Sequence, residues 1–307
     1  MKLLHPQVFF RCRRLRRMGL VLGILLGLWF FASWGCVYLL TRRARPPFAE
    51  PAPVVAWGRL ETLRLPTADG QEIGAWFVAG PEAGPSILLL HGNGESRRAS
   101  LPLAEFFARQ GCSVLLVSLR AHGDSSGEVN DIGYSARHDV VAAVDYLEQR
   151  RKYRPILVQG TSLGAAAALY AAETLGTRVR GYVLESPFAD LHTAVRNRTE
   201  IYLPFPLDRV AYAGLALTGP LVLPDLDRMA PVEAIATIPA TVPVVLLAGG
   251  RDQLARPAEA QALYQRIANH CRLVWFARAG HESYYAHDPA LYRQAVAELL
   301  AVATHRD

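Results

Sequence analysis

The sequence predicts an α/β chain: an open, mostly parallel sheet covered by helices on both faces, preceded by one membrane-spanning helix. Two observations carry this. Beyond the N-terminal region, short apolar runs rich in β-branched residues alternate with helical patterns, the rhythm of strand, helix, strand. Before them, Gly19 to Leu40 forms 22 residues without a charge, long enough as a helix to cross a hydrocarbon core.

The first 18 residues form a basic segment and residues 19–40 an anchor. Residues 41–53, with Pro46, Pro47, Pro51 and Pro53, read as a stiff extended linker that holds the domain off the membrane. The formal charge of +6 does not point to nucleic acid. Its excess is local, in Arg11, Arg13, Arg14, Arg16, Arg17, Arg42, Arg43 and Arg45, which flank the apolar span. A cleaved signal peptide would have a shorter apolar core, although Ser33-Trp34-Gly35-Cys36 vaguely resembles a lipoprotein cleavage site. Lys2 and five arginines precede the span, against Arg42, Arg43 and Arg45 just after it. That imbalance favours a cytoplasmic N-terminus with the remaining chain on the periplasmic, extracellular or lumenal side.

Residues 54–307 form the globular domain, and a hydrophobic content of 51% provides for a large core. Candidate strands are Gly74 to Ala79, Ser86 to Leu90, Ser113 to Leu119, Ile156 to Gln159, Gly181 to Glu185, Val242 to Ala248 and Leu273 to Phe276. Candidate helices are Arg98 to Gln110, Tyr134 to Arg150, Leu163 to Leu175, Pro257 to Ala268 and Pro289 to Ala303. Cys112 and Cys271 read as buried thiols at strand starts, and no C-x-x-C metal spacing occurs. Residues 192–239 break the alternation with six prolines and the hydrophobics Tyr202, Leu203, Phe205, Leu207 and Tyr212. An insertion there reads as a lid near the strand ends, or as ordinary packed helices. Asn197-Arg198-Thr199 also matches a glycosylation acceptor.

Gly160-Thr161-Ser162-Leu163-Gly164 sits between a strand and an Ala-rich helix. A sharp turn there lifts the serine hydroxyl above the sheet, and a glycine two residues away on each side lets strand and helix approach. Gly123-Asp124-Ser125-Ser126-Gly127 repeats the pattern with no helix after it and reads as a loop. A serine hydroxyl needs a base, and a histidine base needs a carboxylate to fix its tautomer. Asp252 follows the run Val244 to Ala248, and His281 follows Leu273 to Phe276, in the chain order serine, acid, histidine. Taken singly, Asp252 reads equally as a helix cap and His281 as a loop residue; Glu185 and Asp190 are alternative acids. Leu88-Leu89-Leu90-His91-Gly92-Asn93-Gly94 ends a strand in a glycine-rich turn. The backbone N–H groups of Asn93 and Leu163 are candidates for binding an oxyanion, with His91 structural.

These motifs, from about Leu63 to Ala303, resemble the α/β-hydrolase superfamily and its membrane-associated branch, similar to monoacylglycerol lipases and serine aminopeptidases. The resemblance covers His91 to Gly94 as oxyanion turn, Arg120 to Gly127 as structural loop, Gly160 to Gly164 as nucleophile elbow, Gly249 to Asp252 as acid loop and Gly280-His281 as base. Ala121 stands where glycine is frequent in the family. It implies an eight-stranded sheet with a short helical cap, and hydrolysis of an ester, thioester or amide with no metal or organic cofactor. The expected partners are a small or lipidic acyl substrate and the membrane. An aminopeptidase is the enzymatic rival, needing a cap carboxylate such as Glu200, Asp208, Asp225 or Asp227 to meet a free amine. A catalytically inactive, membrane-tethered binding module is the rival of another class.

Overall fold

A computed structural model describes residues 6–305; Lys2 of the basic segment lies outside the described residues. Helix α1 (Pro6–Leu40) contains the candidate membrane span Arg14–Leu40. The sheet has eight strands: β1 (Glu61–Pro66), β2 (Glu72–Val78), β3 (Ser86–Leu90), β4 (Ser113–Val117), β5 (Ile156–Thr161), β6 (Val179–Glu185), β7 (Val244–Gly249) and β8 (Cys271–Phe276). Their spatial order is β1-β2-β4-β3-β5-β6-β7-β8. Strand β2 runs antiparallel to β1 and β4, and the remaining pairs are parallel.

Strands β3 and β4 are buried at every position, which is why they read as unbroken apolar runs. Strand β1, the eighth strand, was absent from the candidate runs. It lies at the edge with alternating exposure, and Glu61 and Arg64 interrupt its apolar signal. On one face pack α3 (Arg137–Arg150), α4 (Leu163–Leu175) and α8 (Pro257–Arg266), burying Val140, Leu147, Leu169 and Leu263. On the other pack α2 (Leu101–Arg109), the short α9 (Tyr284–His287) and α10 (Pro289–His305), burying Phe107, Tyr284, Tyr292 and Val296. Cys112 and Cys271 are free and buried beside β4 and at the start of β8.

The interval 192–239 is helical: α5 (Leu191–Tyr202), α6 (Leu207–Val222), short 3-10 turns and the single turn α7 (Pro231–Ala234). Asp190 caps α5 by accepting the Thr193 N–H at 2.8 Å. Asn197 is buried and donates to Glu259 Oε1 at 2.6 Å and to the Leu254 carbonyl at 3.2 Å. The triplet that matches a glycosylation acceptor is thus a structural pin whose amide is already engaged.

The linker reading of residues 41–53 is corrected, because this segment is strapped onto the domain. Arg43 donates from Nε to the Gly127 carbonyl at 3.0 Å, and from its terminal nitrogens to the carbonyls of Gly123 and Ser125. Seven residues on, Glu50 is fully enclosed. Its carboxylate accepts from Ser96 at 2.5 Å and Ser118 at 2.6 Å and pairs with Arg97 at 3.1 Å. Arg97 in turn donates to both oxygens of Asp124, at 2.5 and 2.8 Å. A proline-rich composition predicts an extended backbone but not what that backbone lies against. The acidic partner in an otherwise basic, proline-rich stretch is what ties it down.

Removing one partner from such a buried ionic cluster strands the others. Glu50→Ala is expected to destabilise the folded chain by about 3 kcal/mol or more. Glu61→Ala breaks only the exposed contact with Arg150 and should shift stability by less than about 1 kcal/mol. Thermal unfolding of the full-length chain in detergent separates the two variants.

Candidate active site

The elbow is built by close packing. Ser162, between β5 and α4, has φ +51° and ψ −107°, a left-handed conformation that side chains rarely adopt. Two close approaches enforce it. A Cβ on Gly160 would lie 2.6 Å from the Ala165 nitrogen, and one on Gly164 would lie 2.5 Å from the Leu90 carbonyl oxygen. The Ser162 N–H donates to the Glu185 carbonyl at 2.8 Å, tying the turn to the end of β6. Such a backbone costs about 1–3 kcal/mol, which the surrounding core offsets.

Asp252 and His281 arrive on the loops after β7 and β8. The loop after β7 passes tightly under its neighbour: a Cβ on Gly249 would sit 2.7 Å from the Ala279 carbonyl oxygen. Asp252 is buried, its Oδ1 accepting the N–H groups of Leu254 at 2.8 Å and Ala255 at 2.9 Å. Its Oδ2 lies 2.8 Å from His281 Nδ1, and His281 Nε2 lies 3.0 Å from Ser162 Oγ. An ionised carboxylate only accepts, so Nδ1 carries the proton and Nε2 is left to accept from the serine hydroxyl. Three residues spread over 120 positions of chain thus form one hydrogen-bonded series.

Asn93 and Leu163 face the same cavity as Ser162. Among the described residues, neither backbone N–H has a hydrogen-bond partner. Leu163 opens α4, where the helix leaves its first amides unpaired and its dipole favours negative charge. The turn bearing Asn93 is held by His91, read from the sequence as structural, and by His122 and Asn130, which were given no individual role there. His91 Nδ1 donates to the Gly92 carbonyl at 2.7 Å, and its Nε2 accepts the Leu119 N–H at 3.0 Å. His122 Nε2 accepts the Gly94 N–H at 3.2 Å. The Asn93 side chain accepts from Asn130 at 2.7 Å. Only His91 carried a signal in the sequence, through its place in the turn.

Burial sets the protonation of these supports. It pushes the His91 imidazole down to about 3, helped by His122 nearby. His122 is lowered for the same reason. Burial raises Glu185 to about 7, while Tyr292 and Gln159 donate to its Oε1 at 2.9 and 2.7 Å. Neither alternative acid reaches the histidine: Glu185 is occupied by Tyr292 and Gln159, and Asp190 caps α5. In the second G-x-S-x-G match, Ser125 donates to the Ser118 carbonyl and accepts from the Gly74 N–H, so it is a loop pin.

The cavity over Ser162 holds about 400 Å³ and is roofed by α5 and α6, with Val37 and Leu40 of α1 and the following Thr41 in its wall. Leu191, Val195, Leu215 and Leu223 make most of that wall apolar. Arg198 and His192 line it too, whereas Glu200, Asp208, Asp225 and Asp227 do not. Another cavity, about 450 Å³, has Arg45, Phe48, Arg98 and His122 in its wall but none of Ser162, Asp252 and His281. The described residues hold no cluster of three or more metal-binding side chains.

Comparison with known proteins agrees with this architecture. Residues 85–222 match a family model described as the alpha/beta hydrolase fold. The uncharacterized protein YqkD of Bacillus subtilis is 27% identical over 241 residues, 77% of each chain. Human protein ABHD12B is 33% identical over 147 residues, covering 46% of this chain and 40% of that one. Among solved structures, the Pyrococcus furiosus esterase Pf2001 superposes with a TM-score of 0.67 at 23% identity, covering 84% of this chain and 98% of that one.

Protonating His91 would turn its Nε2 into a donor facing the Leu119 N–H. A histidine whose folded-state pKa lies below its unfolded value of about 6.5 contributes stability above that pH, and loses it as pH falls toward its folded value. Stability is therefore expected to decline as pH is lowered from about 6.5 toward 4. In His91→Gln, which keeps a donor and an acceptor but cannot ionise, that decline should be shallower; unfolding midpoints of the two chains across this range provide the check.

Proposed function

We propose that this chain is a serine hydrolase of the α/β-hydrolase superfamily, cleaving a carboxylic ester or thioester through an acyl-enzyme on Ser162, with a lipidic or acylated substrate favoured. The observation that carries this reading is the series Ser162–His281–Asp252, at 3.0 and 2.8 Å, on a strained elbow beside the two partnerless N–H groups.

His281 Nε2 takes the proton of Ser162 as Oγ bonds to the substrate carbonyl carbon. The charge that collects on the carbonyl oxygen is met by the N–H groups of Asn93 and Leu163. Each such donor contributes about 2.7–4 kcal/mol of barrier lowering. The tetrahedral species collapses by breaking the bond to the leaving alcohol or thiol, which takes the proton back from His281. Water then attacks the acyl-serine with His281 as base. The carboxylic acid departs and Ser162 regains its proton. Asp252 keeps the imidazole in the required tautomer and steadies its positive form, with its other oxygen fixed by two backbone amides.

The apolar wall favours a lipidic acyl group. An aminopeptidase would require a carboxylate near Ser162 to pair with a free amine. The four cap carboxylates lie outside the cavity wall, and Glu200 is engaged by Arg196 and Arg256. A purely binding module has no use for a strained serine hydrogen-bonded to a histidine. The arginine excess before the span supports a cytoplasmic N-terminus, with the hydrolase domain across the membrane.

A fluorophosphonate probe should label the wild-type chain covalently and leave Ser162→Ala unlabelled; absence of labelling in the wild type would refute the mechanism. Asp252→Asn should retain the fold and lose turnover by roughly 10⁴-fold, as expected when the histidine adopts the wrong tautomer. A membrane-impermeant form of the probe applied to intact cells should still label Ser162 if the domain faces outward.

A further inference from the structure

Helix α1 does more than tether the domain. One stripe, Trp29, Ser33 and Val37 on α1, followed at the same four-residue spacing by Thr41 just past its end, turns inward, while Leu22, Leu25, Leu26, Phe31 and Leu39 are exposed. That stripe lies along α6. The indole N–H of Trp29 donates to the Val210 carbonyl at 3.1 Å, and Gly214 abuts Ser33 and Trp29 so closely that any side chain there would overlap Ser33. Register advances the same way on both helices, so α1 and α6 run parallel. Their contact uses small residues, Ser33 against Gly214 with Thr218 one turn further, the manner in which helices meet within a bilayer.

This alignment sets depth. At about 1.5 Å per residue, Trp29 lies roughly 16 Å back along the axis from Leu40. The start of α6 is level with Trp29, so the tip of the cap reaches into whatever layer α1 crosses. Its residues suit that layer. Tyr202, Phe205, Leu207, Val210, Leu217 and Leu221 are exposed, several by more than half their surface. Beyond Asp208 and Arg209 in the first turn, α6 is uncharged to Val222. An apolar patch of this kind is unusual on a water-facing surface and needs no partner where it lies in lipid beside a membrane span.

The same helix pair closes the cavity. Val37 and Thr41 are buried in its wall, and Leu40, Tyr202 and Leu203 line it while remaining exposed, which makes them its rim. Thr41 also reaches the oxyanion turn: its carbonyl accepts the Asn130 N–H at 2.8 Å, and the Asn130 side chain donates to Asn93 at 2.7 Å.

We propose that the mouth of the Ser162 cavity opens into the lipid leaflet between α1 and the α5–α6 hairpin, so that α1 is one wall of the acyl site. The substrate is then a membrane-resident carboxylic ester whose acyl chain slides past Leu40, Tyr202 and Leu203 without passing through water. This inference rests on the hydrolase reading above.

The test uses the full-length chain in phosphatidylcholine vesicles containing 4-methylumbelliferyl palmitate. Diluting the ester with further phosphatidylcholine, at constant bulk ester and enzyme, should lower the rate in proportion to the ester's mole fraction. A rate that ignores this dilution overturns lateral entry. Val37→Trp, which narrows the wall, should lower the ratio of palmitate to butyrate kcat/KM by about tenfold or more, the scale on which apolar pockets discriminate. Leu39→Trp, on the exposed face of α1, should leave that ratio at the wild-type value. An unchanged ratio in Val37→Trp, or an equal fall in Leu39→Trp, overturns the assignment of α1 as a wall. Fluorophosphonate labelling of Ser162 in each variant reports that the site is folded, and the dilution measurement on the wild type stands even where a variant does not fold. If the wild type hydrolyses the ester without regard to dilution, only the present inference fails. If it neither labels nor hydrolyses any ester, the hydrolase reading itself falls.

Discussion

Everything at the site depends on one strained residue being held at the end of β5. Ser162 keeps a left-handed backbone because Gly160 and Gly164 let the start of α4 press against β5 and against the carbonyls that end β3, leaving the chain no room to relax. From that single constraint follow the hydroxyl projecting above the sheet, the unpaired amide of Leu163 and the orientation of the α4 dipole. The sheet offsets the strain. Strands β3, β4 and β5 are buried among helices on both sides, and a core packed at crystal-like density transmits position without slack.

Around this fixed point the remaining groups are positioned by backbone contacts more than by one another. Asp252 is oriented by two amides of its own loop before it meets His281. The Asn93 turn is braced by His91 and His122, both kept neutral by burial, so each ring has one donor and one acceptor nitrogen. Buried polar networks of this sort are costly when incomplete and rigid when satisfied, and the rigidity favours a preorganised site.

The segment that follows α1 joins the same network. Arg43 and Glu50 bind the loop from Ser118 to Gly127 and the start of the α2 region. Thr41 is linked through Asn130 to the Asn93 turn. With α1 also packed along α6, the candidate span, α5, α6 and the Asn93 turn form one connected body. A helix that looks separable in the sequence is structurally part of the site.

The local pattern of the chain was enough to announce most of this architecture. All seven candidate strands lie within two residues of their observed places, because buried strands are continuous apolar runs. Ser162, Asp252 and His281 stood out because each follows such a run directly. Strand β1 escaped notice because it is an edge strand with one wet face, its apolar signal interrupted by Glu61 and Arg64. What the polymer could not disclose alone is what surfaces face each other. The proline-rich segment read as a spacer until Glu50 met Arg97, and nothing in the interval 192–239 showed that α6 lies beside α1. Periodicity and turn chemistry act over a few residues and are written locally. Contacts between segments far apart in sequence depend on shape and charge that exist only once the chain has folded.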